Sequence, residues 1–167
     1  MTIEFVTKDN VPAVRLSTND TASMLIRHVE ISLEEYPLLR WMWFVEQPIV
    51  SELDETTREG DDHPARFFIV FETLSGARRS MEIIWGNRLQ AGEYKYIDDF
   101  PHYVPRGGNE NTKRWFEEEV NLWEVYGHIW PDQEPANIME IGLFCDSDDT
   151  DGRSVSYFAN VRMRGET

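Results

Sequence analysis

Alternation of apolar and polar side chains with a period of two runs through most of this 167-residue chain. In the clearest segment, 155–163, every second residue from Val155 to Met163 is apolar. This period is typical of β-strands that place one face on a core. Similar segments lie at 41–45, 67–71, 81–85 and 139–145, with shorter ones at 3–7, 13–17, 23–29 and 101–105. Turn-forming residues separate them, so the pattern predicts an all-β antiparallel β-sandwich.

The apolar strand faces predict one core between two sheets. The residues expected in that core are Trp41, Phe67, Ile69, Phe71, Ile83, Ile141, Leu143, Tyr157 and Val161. Two stretches break the alternation. Segment 121–130 has Leu122, Tyr126 and Ile129 at helical spacing and predicts one short helix, whereas the acidic segment 50–64 predicts a long surface loop. No repeat or linker interrupts the chain, which predicts a single domain over 1–167.

The charge balance excludes some classes of partner. Acidic residues number 31 and basic residues 16, which gives a formal net charge of -15. Such a chain repels phosphate backbones and anionic lipid surfaces, so we expect no nucleic-acid partner. No apolar run reaches the roughly 18 residues of a membrane span, so we expect no membrane insertion. The single cysteine, Cys145, excludes an internal disulfide and a zinc-thiolate site. The first residues, MTIEFVTKDN, do not resemble a signal peptide.

The densest acidic cluster follows the strand at 139–145. Asp146, Asp148, Thr150 and Asp151 lie in one turn and are candidate ligands for Ca²⁺, which takes six to eight oxygen atoms in proteins. The alternatives are another divalent metal or a solvated hairpin in which aspartate only forms the turn. Sequence spacing does not decide among the three.

Aromatic residues in the less regular segments are candidates for sugar binding. Trp115, Trp123 and Tyr103 could stack on sugar rings while nearby acids accept hydroxyl protons. The alternative for each is packing of the helical region onto the sandwich. Asp61 and Asp62 precede the most apolar strand, and we expect them to approach the 146–152 loop if the two strand ends adjoin.

Four motifs in order resemble a bacterial family known as domain of unknown function three-zero-four-seven. The motifs are a Trp-x-Trp strand at Trp41 and Trp43, Asp-Asp-x-x-x-Arg at Asp61, Asp62 and Arg66, Trp-x-Asn at Trp85 and Asn87, and Asp-x-Asp-x-Thr at Asp146, Asp148 and Thr150. The resemblance covers roughly residues 23–163 and implies a jelly-roll-like sandwich, usually in exported proteins, with no established activity. A periplasmic or secreted location follows if this chain is a fragment, and a cytoplasmic one otherwise. The resemblance also makes the second and fourth motifs the foremost candidates for a functional site.

These observations predict an antiparallel β-sandwich of jelly-roll type with one short helix. The leading functional interpretation is a non-catalytic carbohydrate-binding module for a glycan or another small polar ligand, stabilised by Ca²⁺. The candidate ligand-binding residues are Trp115, Trp123, Tyr103, Asp61, Asp62, Arg66 and Asn87. The first alternative is a glycan-active hydrolase or lyase that uses Asp61, Asp62, His63 or Asp146 as acid or base. The second is a structural or interaction domain. We also expect Arg66 to pair with Asp146 or Asp148.

Overall fold

The computed structural model describes residues 1–167, apart from the side chain of Ala136. About 56% of the residues lie in strands and 8% in helices, which confirms the predicted all-β sandwich. The strands are β1 (Thr2–Lys8), β2 (Val11–Asn19), β3 (Leu25–Ser32), β4 (Leu38–Gln47), β5 (Arg66–Thr73), β6 (Arg78–Gly86), β7 (Tyr94–Ile97), β8 (Phe100–Gly107), β9 (Trp115–Asn121), β10 (Pro135–Phe144) and β11 (Arg153–Arg164). The helix α1 (Leu122–Ile129) confirms the predicted helix. Among the described residues, no helix is long and apolar enough to cross a membrane.

Two sheets face each other. The five-stranded sheet has the order β1-β2-β11-β4-β9, and the six-stranded sheet has the order β3-β10-β5-β6-β8-β7. Neighbouring strands are antiparallel except β6 and β8, which run parallel. The edge strands are therefore β1 and β9 in one sheet and β3 and β7 in the other. Each end of the sandwich presents two edge strands, one from each sheet.

The core between the sheets is rich in tryptophan. Trp41 and Trp43 from β4 meet at a ring-centroid distance of 5.1 Å, and Trp43 lies 5.3 Å from Trp85 of β6, both in edge-to-face geometry. Phe67 contacts Trp41 from the opposite sheet at 4.9 Å. Each large side chain buried in this way contributes roughly 1.5–3 kcal/mol. The regular alternation of these strands therefore predicts their buried faces correctly.

Strand β11 departs from the predicted pattern. Phe158, not Tyr157, lies in the core, whereas Tyr157 packs with Phe44 on the outer face of the five-stranded sheet. The pairing of β11 with β4 then shifts between Ala159 and Arg162, a β-bulge that puts Asn160 at a φ of 54°. The expectation that Tyr157 and Val161 belong to the main core is wrong, because both faces of β11 are covered before the bulge and the bulge changes the register after it.

The 50–64 segment is not a solvated loop throughout. It folds back over the outer face of the six-stranded sheet, where Glu55 and Asp62 become buried. Gly60 permits the tight fold, because a Cβ atom at this position would collide with the carbonyl group of Asp54. This covering segment creates a polar interior on a sheet face that would otherwise be in water.

Candidate functional site

Arg66 is the centre of a buried ionic cluster beneath the covering segment. Its side chain is 3% exposed. Nη1 donates to Oδ2 of Asp146 at 2.6 Å and to the backbone carbonyl of Asp61 at 2.6 Å. Nε donates to Oε2 of Glu82 at 2.7 Å. The predicted pair between Arg66 and Asp146 is confirmed, and it joins the second and the fourth of the four family-like motifs.

The strands of the six-stranded sheet place the cluster in one row. Arg66 is the first residue of β5, Glu82 lies on β6, His102 on β8 and Lys95 on β7. Glu82 is in register with His102, and His102 is in register with Lys95. The row therefore crosses four adjacent strands on the outer face of the sheet, directly under the covering segment.

Lys95 and His63 form the second half of the cluster. The Nζ atom of Lys95 donates to Oδ1 of Asp61 at 2.5 Å and lies 2.8 Å from Nε2 of His63. The Nδ1 atom of His63 lies 2.8 Å from the carbonyl oxygen of Trp85, so Nδ1 carries the proton and Nε2 accepts from Lys95. Burial, together with the charge of Lys95, lowers the pKa of His63 to about 3. His63 is therefore neutral at physiological pH.

Three carboxylates in this interior, those of Asp61, Glu82 and Asp146, share the two cations Arg66 and Lys95. Burial alone would raise the pKa of Asp61, but the positive charges of Arg66 and Lys95 hold that pKa well below its ordinary value. For Asp146 the effect of burial is larger than the attraction to Arg66, and its pKa rises to about 7. Asp146 is therefore the acid of this cluster whose pKa is raised towards neutral pH.

Asp62 joins the 146–151 loop to the covering segment. Its Oδ2 atom accepts hydrogen bonds of 2.6 Å from both the backbone N–H and the hydroxyl of Thr150, and Oδ1 accepts from the N–H of Asp149 at 3.3 Å. The side-chain amide of Asn87 donates to the Asp62 carbonyl oxygen at 2.7 Å. Asp62 and Asn87, both predicted as ligand-binding residues, therefore hold two loops together.

The four residues predicted to bind metal do not converge on one point. Asp146 turns inward to Arg66, Thr150 donates to Asp62, and Asp151 is exposed at a φ of 51°. Asp148 instead lies with Asp62 and Asp149, whose carboxylate oxygens are all within 4.8 Å of one another. This trio replaces the predicted set as the candidate cation site of the loop.

Sequence reasoning missed Glu55, Glu82, Lys95 and His102. Glu55 accepts hydrogen bonds from three consecutive backbone N–H groups, those of residues 87–89, at 2.5–2.8 Å. Glu82 shares its strand face with the apolar Ile84, and both side chains are buried. An apolar residue two positions from an acid, on the same face of a strand, indicates that this face is covered.

The predicted aromatic residues are dispersed. Trp115 packs on the outer face of the five-stranded sheet, 5.6 Å from Phe44 and 6.4 Å from Tyr157. Trp123 lies on α1 and is 40% exposed. Tyr103 lines a pocket of about 470 Å³ at the end of the sandwich where β7 and β9 are the edge strands.

This polar pocket combines rings with acids. The Tyr94 ring stacks on His128 at 4.1 Å and lies 4.9 Å from the Tyr103 ring. Glu119 and Glu124 line the same pocket. Burial raises the pKa of Tyr94 to about 12, helped by the nearby Tyr103, Tyr96 and Glu124, so its phenol stays protonated.

Comparison with known families gives a match over residues 2–162 to a family described as protein of unknown function (DUF3047). The chain belongs to this family. Comparison with characterised proteins gives no match. In this DUF3047 protein, the polar residues of the second, third and fourth motifs, apart from the exposed Asp148, bond to one another or to neighbouring loops, whereas the ring-lined polar pocket lies elsewhere.

The two regions of the DUF3047 protein differ in what they can do chemically. The acids and the histidine of the ionic cluster are buried and already engaged by Arg66, Lys95 and backbone groups. A buried group whose hydrogen bonds are all made stabilises loop geometry. The pocket, in contrast, offers rings, hydroxyls and carboxylates at the surface, which is the composition of a site for a small polar ligand.

Proposed function

We propose that this protein is a non-catalytic glycan-binding module whose site is the polar pocket between β7, β8, β9 and α1. The observation that carries the proposal is the pairing of stacked rings with free polar groups. Among the described residues, no hydrogen bond or ion pair engages the hydroxyls of Tyr94 and Tyr103 or the carboxylates of Glu119 and Glu124. Rings that contact sugar C–H groups and acceptors that receive hydroxyl protons are what a pyranose requires.

The charge of the pocket narrows the ligand class. Two glutamates and no lysine or arginine line it. A uronic acid would meet like charge there, so neutral or amino sugars are favoured over acidic ones. We favour a non-catalytic role because Asp61, Asp62 and Asp146, the acids that an enzyme would use, are inside the protein and hydrogen-bonded.

In this proposal calcium stabilises the 146–151 loop and does not bridge the protein to the glycan. The support is the carboxylate trio of Asp62, Asp148 and Asp149. Burial, together with the charges of Asp62 and Asp148, raises the pKa of Asp149, the direction expected for acids that repel one another. A divalent cation with oxygen ligands would relieve that repulsion.

Isothermal titration calorimetry with neutral oligosaccharides (xylo-, cello- and manno-series) and chitosan oligomers tests the proposal, with oligogalacturonate as the acidic control. We expect binding of a neutral or amino sugar, a loss of tenfold or more in Tyr94→Ala, and a smaller loss in Tyr103→Phe. Tyr96→Ala is the matched control, because Tyr96 lies two residues along β7 and outside the pocket.

Chromatography of the same mixtures after long incubation separates the alternatives. Unchanged oligosaccharide is the expected result, and shortened products would favour the glycan-active enzyme. If none of these sugars binds to the folded protein, or if Tyr94→Ala binds as well as the wild type does, the glycan proposal is wrong.

A further inference from the structure

A large cleft lies at the opposite end of the sandwich from the polar pocket. There β1 and β3 are the edge strands of the two sheets, and they leave an opening of about 1310 Å³. Its lining comes from β1, β2, β3, β10 and β11, with Leu39 of β4, and is mainly apolar. The cleft is continuous with the main core, because Leu39 and Phe158 belong to both.

The register of the strands shows that the five-stranded sheet turns apolar side chains into this cleft. Phe5 pairs with Val14, and Val14 pairs with the core residue Phe158, so Phe5 shares their inward face. Yet Phe5 is 82% exposed, and Val161 beyond the bulge is 38% exposed. An inward aromatic ring with so little cover marks a surface made for an apolar occupant.

Arg27 is the distinctive residue of the opposite wall. It pairs with Ile141, which in turn pairs with the core residue Ile69, so its side chain starts from the inward face of β3. No hydrogen bond or ion pair engages it among the side chains that the structure describes. The lining holds one acid, Glu30, against Arg27 and Arg162, in a chain with a net charge of -15.

We propose that this cleft binds a free fatty acid, with the acyl chain between the sheets and the carboxylate on Arg27. An apolar wall with one available guanidinium complements a ligand with one anionic end and a long apolar tail. From Arg27 to Ile31 the wall runs about 13 Å at about 3.3 Å per residue, the length of about ten extended carbons. This site is independent of the glycan pocket.

Calorimetry with octanoate, decanoate and dodecanoate below their micelle concentrations tests the proposal. We expect affinity to rise about fourfold for each added methylene up to about ten carbons, and to level off beyond that length. Dodecanol and dodecanoate methyl ester, which lack the charge, should bind at least tenfold more weakly than dodecanoate.

Arg27→Gln should remove that preference for the carboxylate, whereas Arg164→Gln, an equal change of charge outside the cleft, should keep it. Phe5→Ala should weaken all the ligands. Arg27 and Phe5 are exposed, so these variants are expected to melt as the wild type does. Equal binding of dodecanol and dodecanoate, or no dodecanoate binding at all, would overturn the proposal. A dimer in light scattering that Phe5→Asp dissociates would instead assign the cleft to a second copy of the chain.

Discussion

Replacing Arg66 with methionine tests whether the ionic cluster holds the fold together. Methionine keeps much of the apolar stem but removes the guanidinium, which leaves Glu82 and Asp146 in the interior without their main partner. Lys95 does not replace it, because its Nζ atom is already held by Asp61, His63 and the Glu55 carbonyl. Breaking a buried pair in this way costs about 3–5 kcal/mol.

For a domain of this size, each kcal/mol shifts the melting temperature by about 2–4 °C, so the expected fall is roughly 6–20 °C. The loss should also depend on pH. Without the guanidinium the two carboxyl groups bind protons in the folded state at higher pH than in the unfolded chain. Folding stability of the variant therefore decreases as pH rises, and the loss relative to the wild type is larger at pH 8 than at pH 5.

Urea unfolding followed by tryptophan fluorescence at both pH values measures this effect. Arg78→Met is the matched control, since Arg78 is also at a strand start but its side chain is 57% exposed. Its ion-pair contact is long, 3.6 Å from Nη1 to Oε1 of Glu140. It should change the unfolding free energy by no more than about 0.5 kcal/mol. The triple variant Arg66→Met, Glu82→Gln, Asp146→Asn should recover at least half of the loss. A loss below about 1 kcal/mol at pH 8, or one that does not vary with pH, would refute the reasoning.

Three further perturbations probe the rest of the site. Burial raises the pKa of Asp146 to about 7, so the folded state keeps a proton that the unfolded chain loses near pH 4. Relative to Asp146→Asn, the wild type should therefore lose stability as pH rises from about 4 to 7, by at most about 1.4 kcal/mol per pH unit in urea titrations. Calcium at about 5 mM should raise the melting temperature by about 2–4 °C if its dissociation constant is about 1 mM; EDTA or Asp148→Ala should abolish the gain, and an unchanged melting curve would leave the loop as a solvated turn. Glu55→Gln should cost about 1–3 kcal/mol, because one carboxylate serves three backbone N–H groups; a variant as stable as the wild type would contradict that role.

The strands were predictable from local alternation, and the Arg66–Asp146 pair needed only one further assumption, that the ends of two strands adjoin. Alternation identifies a strand within a few residues, and an arginine at the head of an apolar strand needs a carboxylate nearby. Asp146 follows β10, which pairs with β5, so the two strand ends adjoin. For these features, neighbouring residues and one strand pairing suffice.

The rest depends on contacts between distant segments. Whether Glu82 and Lys95 face water is decided by the covering segment, which the sequence presents only as an acidic loop. The bulge at Asn160 depends on how β11 pairs with β4, a register that the uninterrupted alternation of β11 does not reveal. The separation of Trp115 from Tyr103 is hidden in the sequence for the same reason, because the sequence does not show which strand ends adjoin.

The central position of β11 has a consequence for synthesis of the chain on the ribosome. This last strand lies between β2 and β4, and its Tyr157 hydroxyl donates to Glu46 across 111 residues of sequence. At a translation rate of about 5–20 residues per second, roughly 5–20 s pass between the synthesis of β4 and that of its partner β11. During that interval Trp41 and Trp43 lie on a strand with one unpaired edge, which is exposed to other nascent chains. We expect production of this protein to be sensitive to the supply of chaperones that shield apolar strands, and to any slowing of translation between β4 and β11.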